Sequence, residues 1–199
     1  MTATLLLIRH AAHGDLDRRF TGRADGVPLT DAGRAQARAL GQRLASERID
    51  AIYCSPRLRT RETAEAVAAH RSVPIEEHDA LDEIDLGDWT GARIEDLIGT
   101  PEFTAWNERR GDGCPPNGEP YAAVAKRATA FAAGLASRHA GQIVALVSHQ
   151  DVIKALVAGA LGLPLDNVLR FELAPASVSR LAWGDWGAKL VTLNEGAAA

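Results

Sequence analysis

Lysine is scarce in this 199-residue chain, occurring only at 126, 154 and 189, so that nearly all positive charge is arginine. Even with the arginines counted the formal net charge is -4. A general nucleic-acid binder needs a basic face, so no nucleic-acid partner is expected. Cysteine is equally sparse: Cys54 ends the apolar run Ala51-Ile-Tyr-Cys54, and Cys114 sits among glycines and prolines. Two such residues make no disulfide framework. With no basic-then-apolar leader pattern, they fit a reduced, cytoplasmic protein. No apolar run approaches the ~20 residues of a membrane span, so no membrane partner is expected either. Internal repeats and long polar linkers are also missing, and the length suffices to bury one core. A single domain over residues 1–199 is therefore expected.

What is present begins with Thr4-Leu-Leu-Leu-Ile-Arg-His10, an apolar run passing into an Arg-His pair with no turn residue between them. Such a run reads as a strand buried on both faces, delivering Arg9 and His10 to its C-terminal edge. Ile143-Val-Ala-Leu-Val-Ser-His149 repeats the device. If the two strands are parallel neighbours, His10 and His149 face one crevice at the edge where open α/β sheets bind ligands.

Between them the pattern alternates strand and helix. Residues 11–29 read as a loop over the strand edge. Thr30 caps a helix to about Glu47 with Ala37, Leu40 and Leu44 on one face, and Asp50 to Cys54 forms a strand. Ser55-Pro56 then reads as N-cap and first residue of a helix to about His70. A short strand is expected over Val73 to Glu77, loop over Ala80 to Gly91, short helices near Ile94 to Ile98 and Phe103 to Arg109, and loop over Gly111 to Pro120. A helix follows from Tyr121 to about His139, and another after His149 that stops at Gly162 and Pro164. Val168 to Leu173, Val178 to Trp183 and Lys189 to Leu193 read as strands. The alternation implies a three-layer α/β/α sandwich with a mostly parallel central sheet.

Several motifs fall in one order along the chain: Leu-Ile-Arg9-His10, Pro28-Leu-Thr-x-x-Gly33, Ser55-Pro-x-x-Arg59-x-x-x-Thr-Ala64, Leu81-x-Glu83-x-x-x-Gly87-x-Trp89-x-Gly91, Gly118-Glu119 and Val147-Ser-His149. In this the chain resembles the histidine phosphatase superfamily, in its phosphoglycerate mutase-like branch. The resemblance implies that His10 is a nucleophile, that Arg9 and Arg59 hold the phosphoryl group, that His149 completes the pocket and that Glu83 donates a proton. It makes Thr21 and Gly22 candidate phosphate contacts, with a solvated loop as the competing reading. It implies a small phosphomonoester as substrate, no cofactor and no metal. The chemistry is consistent: neighbouring arginines keep an imidazole neutral, fork onto phosphate oxygens and stabilise their charge in the transition state. Glu83 must carry a proton at neutral pH to act as an acid, and an approaching phosphate dianion could raise its pKa.

Other residues read more plainly. His70 and His139 sit at helix C-termini, Arg57 and Arg61 read as a solvated helix face, and His13 and His78 match no family position. Where many relatives continue Arg-His-Gly-Glu and place an asparagine soon after, this chain has Ala11, Ala12, His13, Gly14, Asp15 and Leu16, and Gln150 replaces a usual glycine. A metal-dependent hydrolase built on His10, His13 and Asp15 or on Glu76 to Asp79 is the rival enzyme, though neither spacing completes a ligand set. A non-catalytic phosphate-binding module is the rival outside enzymes, and it would not need Glu83. The chain is short and its longest lid candidate, residues 84–120, is Gly- and Pro-rich, which favours hydrolysis over a mutase reaction. The leaving group and the oligomeric state stay open; a Val168 to Leu173 edge strand would be free to pair with a second subunit.

Overall fold

The computed structural model describes residues 1–196; the last three residues of the Gly-Ala tail lie outside them. β1 (Ala3–Arg9) is followed by α1 (Asp31–Arg43), β2 (Ala51–Cys54), α2 (Leu58–Ala68) and β3 (Ile75–Glu77). The short helices α3 (Ile94–Leu97) and α4 (Pro101–Glu108) precede α5 (Tyr121–Arg138), β4 (Ile143–Ser148) and α6 (Gln150–Leu161). A hairpin of β5 (Val178–Gly184) and β6 (Gly187–Glu195) closes the described chain. The strands form one sheet in the order β3-β2-β4-β1-β5-β6. The first four in that order run parallel, while β5 is antiparallel to β1 and to β6.

Alternation along β1 explains the three layers. Leu5 and Leu7 pack with Val124, Ala128 and Leu135 of α5 and with Val152 and Leu156 of α6. Leu6 and Ile8 pack on the other face with Ala37, Leu40 and Leu44 from α1 and its end, and with Ala64 and Val67 of α2. A central strand apolar on both faces needs a helical layer on each, as this one has.

β1 and β4 are parallel neighbours, in register from Thr4 opposite Ile143 to Arg9 opposite Ser148. The chain leaving β1 goes to the α1 face, whereas the chain leaving β4 enters α6 on the opposite face. Divergence of two connections at adjacent strand ends opens a crevice there. The expected pairing of the two histidine-bearing strands thus holds, and with it the α/β/α class.

Two expectations are corrected. Leu165–Arg170 forms 3-10 turns after Pro164, and Val168 to Leu173 is not a strand. The Asn167 amide donates to Pro164 O, so the backbone closes into turns and leaves no extended ladder for an edge. The outermost strands of the described sheet are β3 and β6 instead. Secondly, α2 starts at Leu58 with Arg57 in the cap position and no side-chain cap. The Ser55 hydroxyl expected to cap it is held elsewhere, between His149 and Asp82.

Candidate active site

The parallel register sets His10 beside His149, with ring centroids 5.2 Å apart. The His10 amide donates to Ser148 O at 3.0 Å, extending the ladder one residue past β1. Its ring Nδ1 lies 2.8 Å from Ala11 O. A carbonyl only accepts, so Nδ1 carries the proton and Nε2 keeps a free lone pair. Burial, then the charges of Arg59 and Arg9, hold this imidazole well below its ordinary pKa. The ring is therefore neutral, as a nucleophile requires, although burial contributes more than the two arginines that the sequence pointed to.

Arg9 and Arg59 are buried guanidinium groups. Arg9 donates Nη1–H to Leu173 O, which the absence of a strand there leaves free. Arg59, in the first turn of α2, donates Nη2–H to Gly22 O at 2.7 Å and faces His149 Nδ1 at 3.1 Å. Arg9 Nε, Arg59 Nε and Arg59 Nη1 are buried donors that no acceptor meets among the described residues. An unmatched buried N–H is costly, and an anion with several oxygens is the natural partner for three of them.

His149 occupies the position just before α6, with no side-chain cap to that helix, and is fully buried. Arg59 can only donate, so His149 Nδ1 accepts and its proton sits on Nε2. Nε2–H then donates to Ser55 Oγ at 2.8 Å, and Ser55 Oγ–H donates to Asp82 Oδ1 at 3.1 Å. Burial, then Arg59, keeps this ring well below its ordinary pKa as well.

Glu83 follows Asp82 on the other side of the crevice. Its carboxylate Oε1 accepts from the Ile84 amide at 3.0 Å. Burial, then the negative charge of Asp151, raises its pKa to about 8 against the opposing pull of the Ile84 amide, Arg59 and Arg127. The proton an acid needs is thus already favoured by the protein at neutral pH, without the help of a substrate dianion. The main chain here is clamped: Glu83 O accepts from Arg23 Nε at 2.9 Å and Arg127 Nη2 at 3.2 Å. Glu119 pairs with both of those arginines, at 2.8 Å each. Gly118-Glu119 is therefore the anchor of the segment that presents Glu83.

Arg9, His10 and Glu83 meet at a cavity of about 190 Å³ whose wall also includes His13, Thr21 and Gly22. Arg59 and His149 are not on that wall. Thr21 and Gly22, the candidate phosphate contacts, line this cavity, and Gly22 O is taken by Arg59. The cavity's apolar side includes Phe20 and Trp106, part of an aromatic cluster in which Trp89 and Trp106 lie 5.3 Å apart.

Sequence reasoning missed Asp82, Arg23 and Arg127, and misread Arg57. Far from being solvated, Arg57 donates Nε–H to Asp82 Oδ1 at 3.0 Å and lies 2.8 Å from Oδ2 through Nη2. Arg61 is the exposed one of the pair, 3.6 Å from Glu77. His139 is structural, between Gln142 Oε1 and Tyr53 OH. His78 caps the turn at Ala80 and stacks on Phe131. Among the described residues no group of three or more His, Cys, Asp and Glu side chains is arranged to hold a metal ion. No helix there is long and apolar enough to cross a membrane.

Comparison with known proteins finds relatives along nearly the whole chain. The sequence model of the histidine phosphatase superfamily (branch 1) matches residues 5–196. Phosphoserine phosphatase 1 of Hydrogenobacter thermophilus is 33% identical over 180 residues, 88% of this chain and 84% of that protein. A protein of Photorhabdus laumondii named "Probable phosphoglycerate mutase GpmB" is 34% identical over 180 residues, 88% of this chain and 82% of its own. The solved structure of Bacillus stearothermophilus YhfR superposes with a TM-score of 0.90 at 31% identity, covering 97% of each chain.

Proposed function

The chain belongs to the histidine phosphatase superfamily, branch 1, and we propose that it hydrolyses small phosphomonoesters through a phosphohistidine on His10. The observation that carries the reading is the pinned tautomer of His10: Nδ1–H is tied to Ala11 O, which leaves Nε2 as the nucleophile beside two buried arginines.

In the first step His10 Nε2 bonds to phosphorus while the phosphorus to ester-oxygen bond breaks. The departing oxygen takes the proton of the Glu83 carboxyl group. Arg9 and Arg59 meet the phosphoryl oxygens with donors that have no partner among the described residues, supplying the charge stabilisation that a metal would otherwise give. Thr21 and Gly22 contribute contacts at the cavity wall. His149 completes the pocket from behind, acting through Arg59, whose fork it helps to orient. In the second step Glu83, now a carboxylate, takes a proton from water, which attacks phosphorus and breaks its bond to Nε2. Phosphate leaves and Glu83 is again protonated.

The similarity to a phosphoserine phosphatase supports a small, polar phosphomonoester as substrate. A phosphoglycerate mutase reaction is the second reading, favoured by the similarity to the Photorhabdus protein. A mutase must keep water from the phosphohistidine until the group is handed back. Incubation with a panel of phosphomonoesters, and separately with 3-phosphoglycerate and a trace of its bisphosphate, decides between them. We expect phosphate release, unaffected by EDTA. Interconversion of phosphoglycerates much faster than phosphate release from any panel member would replace hydrolysis by mutase chemistry. Loss of activity on chelation, restored by a divalent ion, would replace both by a metal-dependent reaction.

A further inference from the structure

His13 has no part in the mechanism above, yet it belongs to the same cavity. It is 6% exposed, lies on the cavity wall, and its ring centroid is 5.3 Å from that of His10. Its backbone is fixed on both sides. It pairs as an isolated antiparallel bridge with Leu29, and its carbonyl accepts from the Leu16 amide at 3.2 Å. The ring is fixed too: the Asp15 amide donates to Nδ1 at 3.3 Å. An amide only donates, so Nδ1 offers its lone pair and the neutral ring carries its proton on Nε2. Nε2 meets no protein acceptor among the described residues. Burial, then the Arg59 charge, lowers the pKa of His13 to about 4, which keeps the ring a neutral donor at neutral pH.

We propose that His13 is a further substrate-binding residue, donating its Nε2–H to an oxygen of the phosphoryl group during transfer to and from His10. The inference rests on the phosphohistidine reading of the cavity and adds to it a directed donor on the cavity wall beside His10. A neutral imidazole is suited to that place, because it brings a hydrogen bond without a third full positive charge beside His10. The competing reading is that His13 only closes the Asp15 turn through Nδ1.

Two substitutions separate these readings because each keeps one ring nitrogen's role. In His13→Asn the amide oxygen reaches the Nδ1 position, preserving the Asp15 bond and losing the reach into the cavity. In His13→Gln the amide nitrogen reaches the Nε2 position and restores the donor. With p-nitrophenyl phosphate, His13→Gln should stay within several-fold of wild type in kcat/KM, whereas His13→Asn should lose ~10²-fold, the usual loss for one donor to the transition state. Orthovanadate, which adopts the five-coordinate geometry of the transfer, should lose inhibitory strength in parallel. Equal losses in the two variants, or a greater loss in His13→Gln, overturn the proposal.

A measurement on the unaltered protein guards against variants that fail to fold. In ¹⁵N-histidine-labelled wild type, orthovanadate should move the His13 Nε2–H resonance downfield and slow its exchange with water. An unmoved His13 signal, with vanadate bound and inhibiting, overturns the role of His13 and leaves the His10 chemistry standing. A wild-type protein that neither hydrolyses phosphomonoesters nor binds vanadate overturns both.

Discussion

At the scale of single residues, Glu83 has the most measurable property. Burial and Asp151 place its pKa at about 8 in the free protein, so kcat/KM should fall as pH rises through about 8 and the acid loses its proton. The opposite limb belongs to His10, whose pKa lies well below the ordinary imidazole value, so protonation of the nucleophile should reduce activity only on the acid side of that value. Glu83→Gln should remove the alkaline limb and lower kcat/KM, which reports the steps up to transfer onto His10, by ~10²–10⁴ on an alkyl phosphate while sparing kcat/KM on a nitrophenyl phosphate, whose leaving group needs no acid. Equal losses on both substrates would reduce Glu83 to a positioning role. The same shift acts on stability. A carboxyl group with a raised folded-state pKa contributes stability that is fully present below its unfolded value and is lost as pH rises through about 8. The Tm of Glu83→Gln relative to wild type should therefore be higher at alkaline than at mildly acidic pH. None of this could be read from Glu83 in the sequence, where the motif marks the residue but its environment comes from Asp151, 68 positions away. Asp82 and Arg57 were illegible for the same reason: both look like surface charges until the fold brings them together.

At the scale of elements, the strand ends were the most legible feature, because a run such as Leu5 to Ile8 has only one way to bury every side chain. Thr30 was equally clear and caps α1, accepting from the Gly33 amide at 3.0 Å. Gly33 also shows how a helix holds the site. A Cβ there would lie 1.9 Å from Ala12 O, in the loop between His10 and His13. Gly33→Ala must push that loop or α1 aside, and a displacement of ~1 Å near reacting groups costs ~10²-fold in rate. We expect a loss of kcat/KM together with a Tm decrease. Gly134 on the exposed side of α5 has nothing within 4 Å of an added Cβ, so Gly134→Ala should be stabilising by ~0.5–1 kcal/mol with activity unchanged. A Gly33→Ala enzyme of wild-type activity would show that α1 does not position the loop. The misread elements have local causes. Ser55 looked like a cap because its bonds to His149 and Asp82 are long-range, and Val168 to Leu173 looked like a strand because its apolar residues outweighed the turn tendency of Pro164-Leu-Asp-Asn167.

At the scale of the whole molecule, the sheet order makes the site. β4 inserts between β2 and β1, which brings His149 beside His10 on one side and Ser55 on the other, although 139 residues separate the two histidines. The fold class followed from strand and helix alternation and the candidate residues from their order. The strand order itself, which only long-range pairing determines, did not. The antiparallel β5 and β6 extend the sheet beyond β1, and Ala176, just before β5, donates its amide to Arg9 O at 3.1 Å. The end of β1 is thereby held from both sides, by β4 and by this segment, so that His10 is presented on a rigid edge. In the proposed mechanism that rigidity serves one chemical event, the transfer of a phosphoryl group to His10 Nε2. The direct test is to mix the enzyme with a reactive phosphomonoester, quench within a turnover under alkaline conditions and map the phosphorylated peptide by mass spectrometry. The account predicts an acid-labile, base-stable phosphoryl group on His10 that forms and decays as fast as turnover, and no label or activity in His10→Ala. Turnover with no phosphorylated intermediate, or an active His10→Ala enzyme, would contradict it.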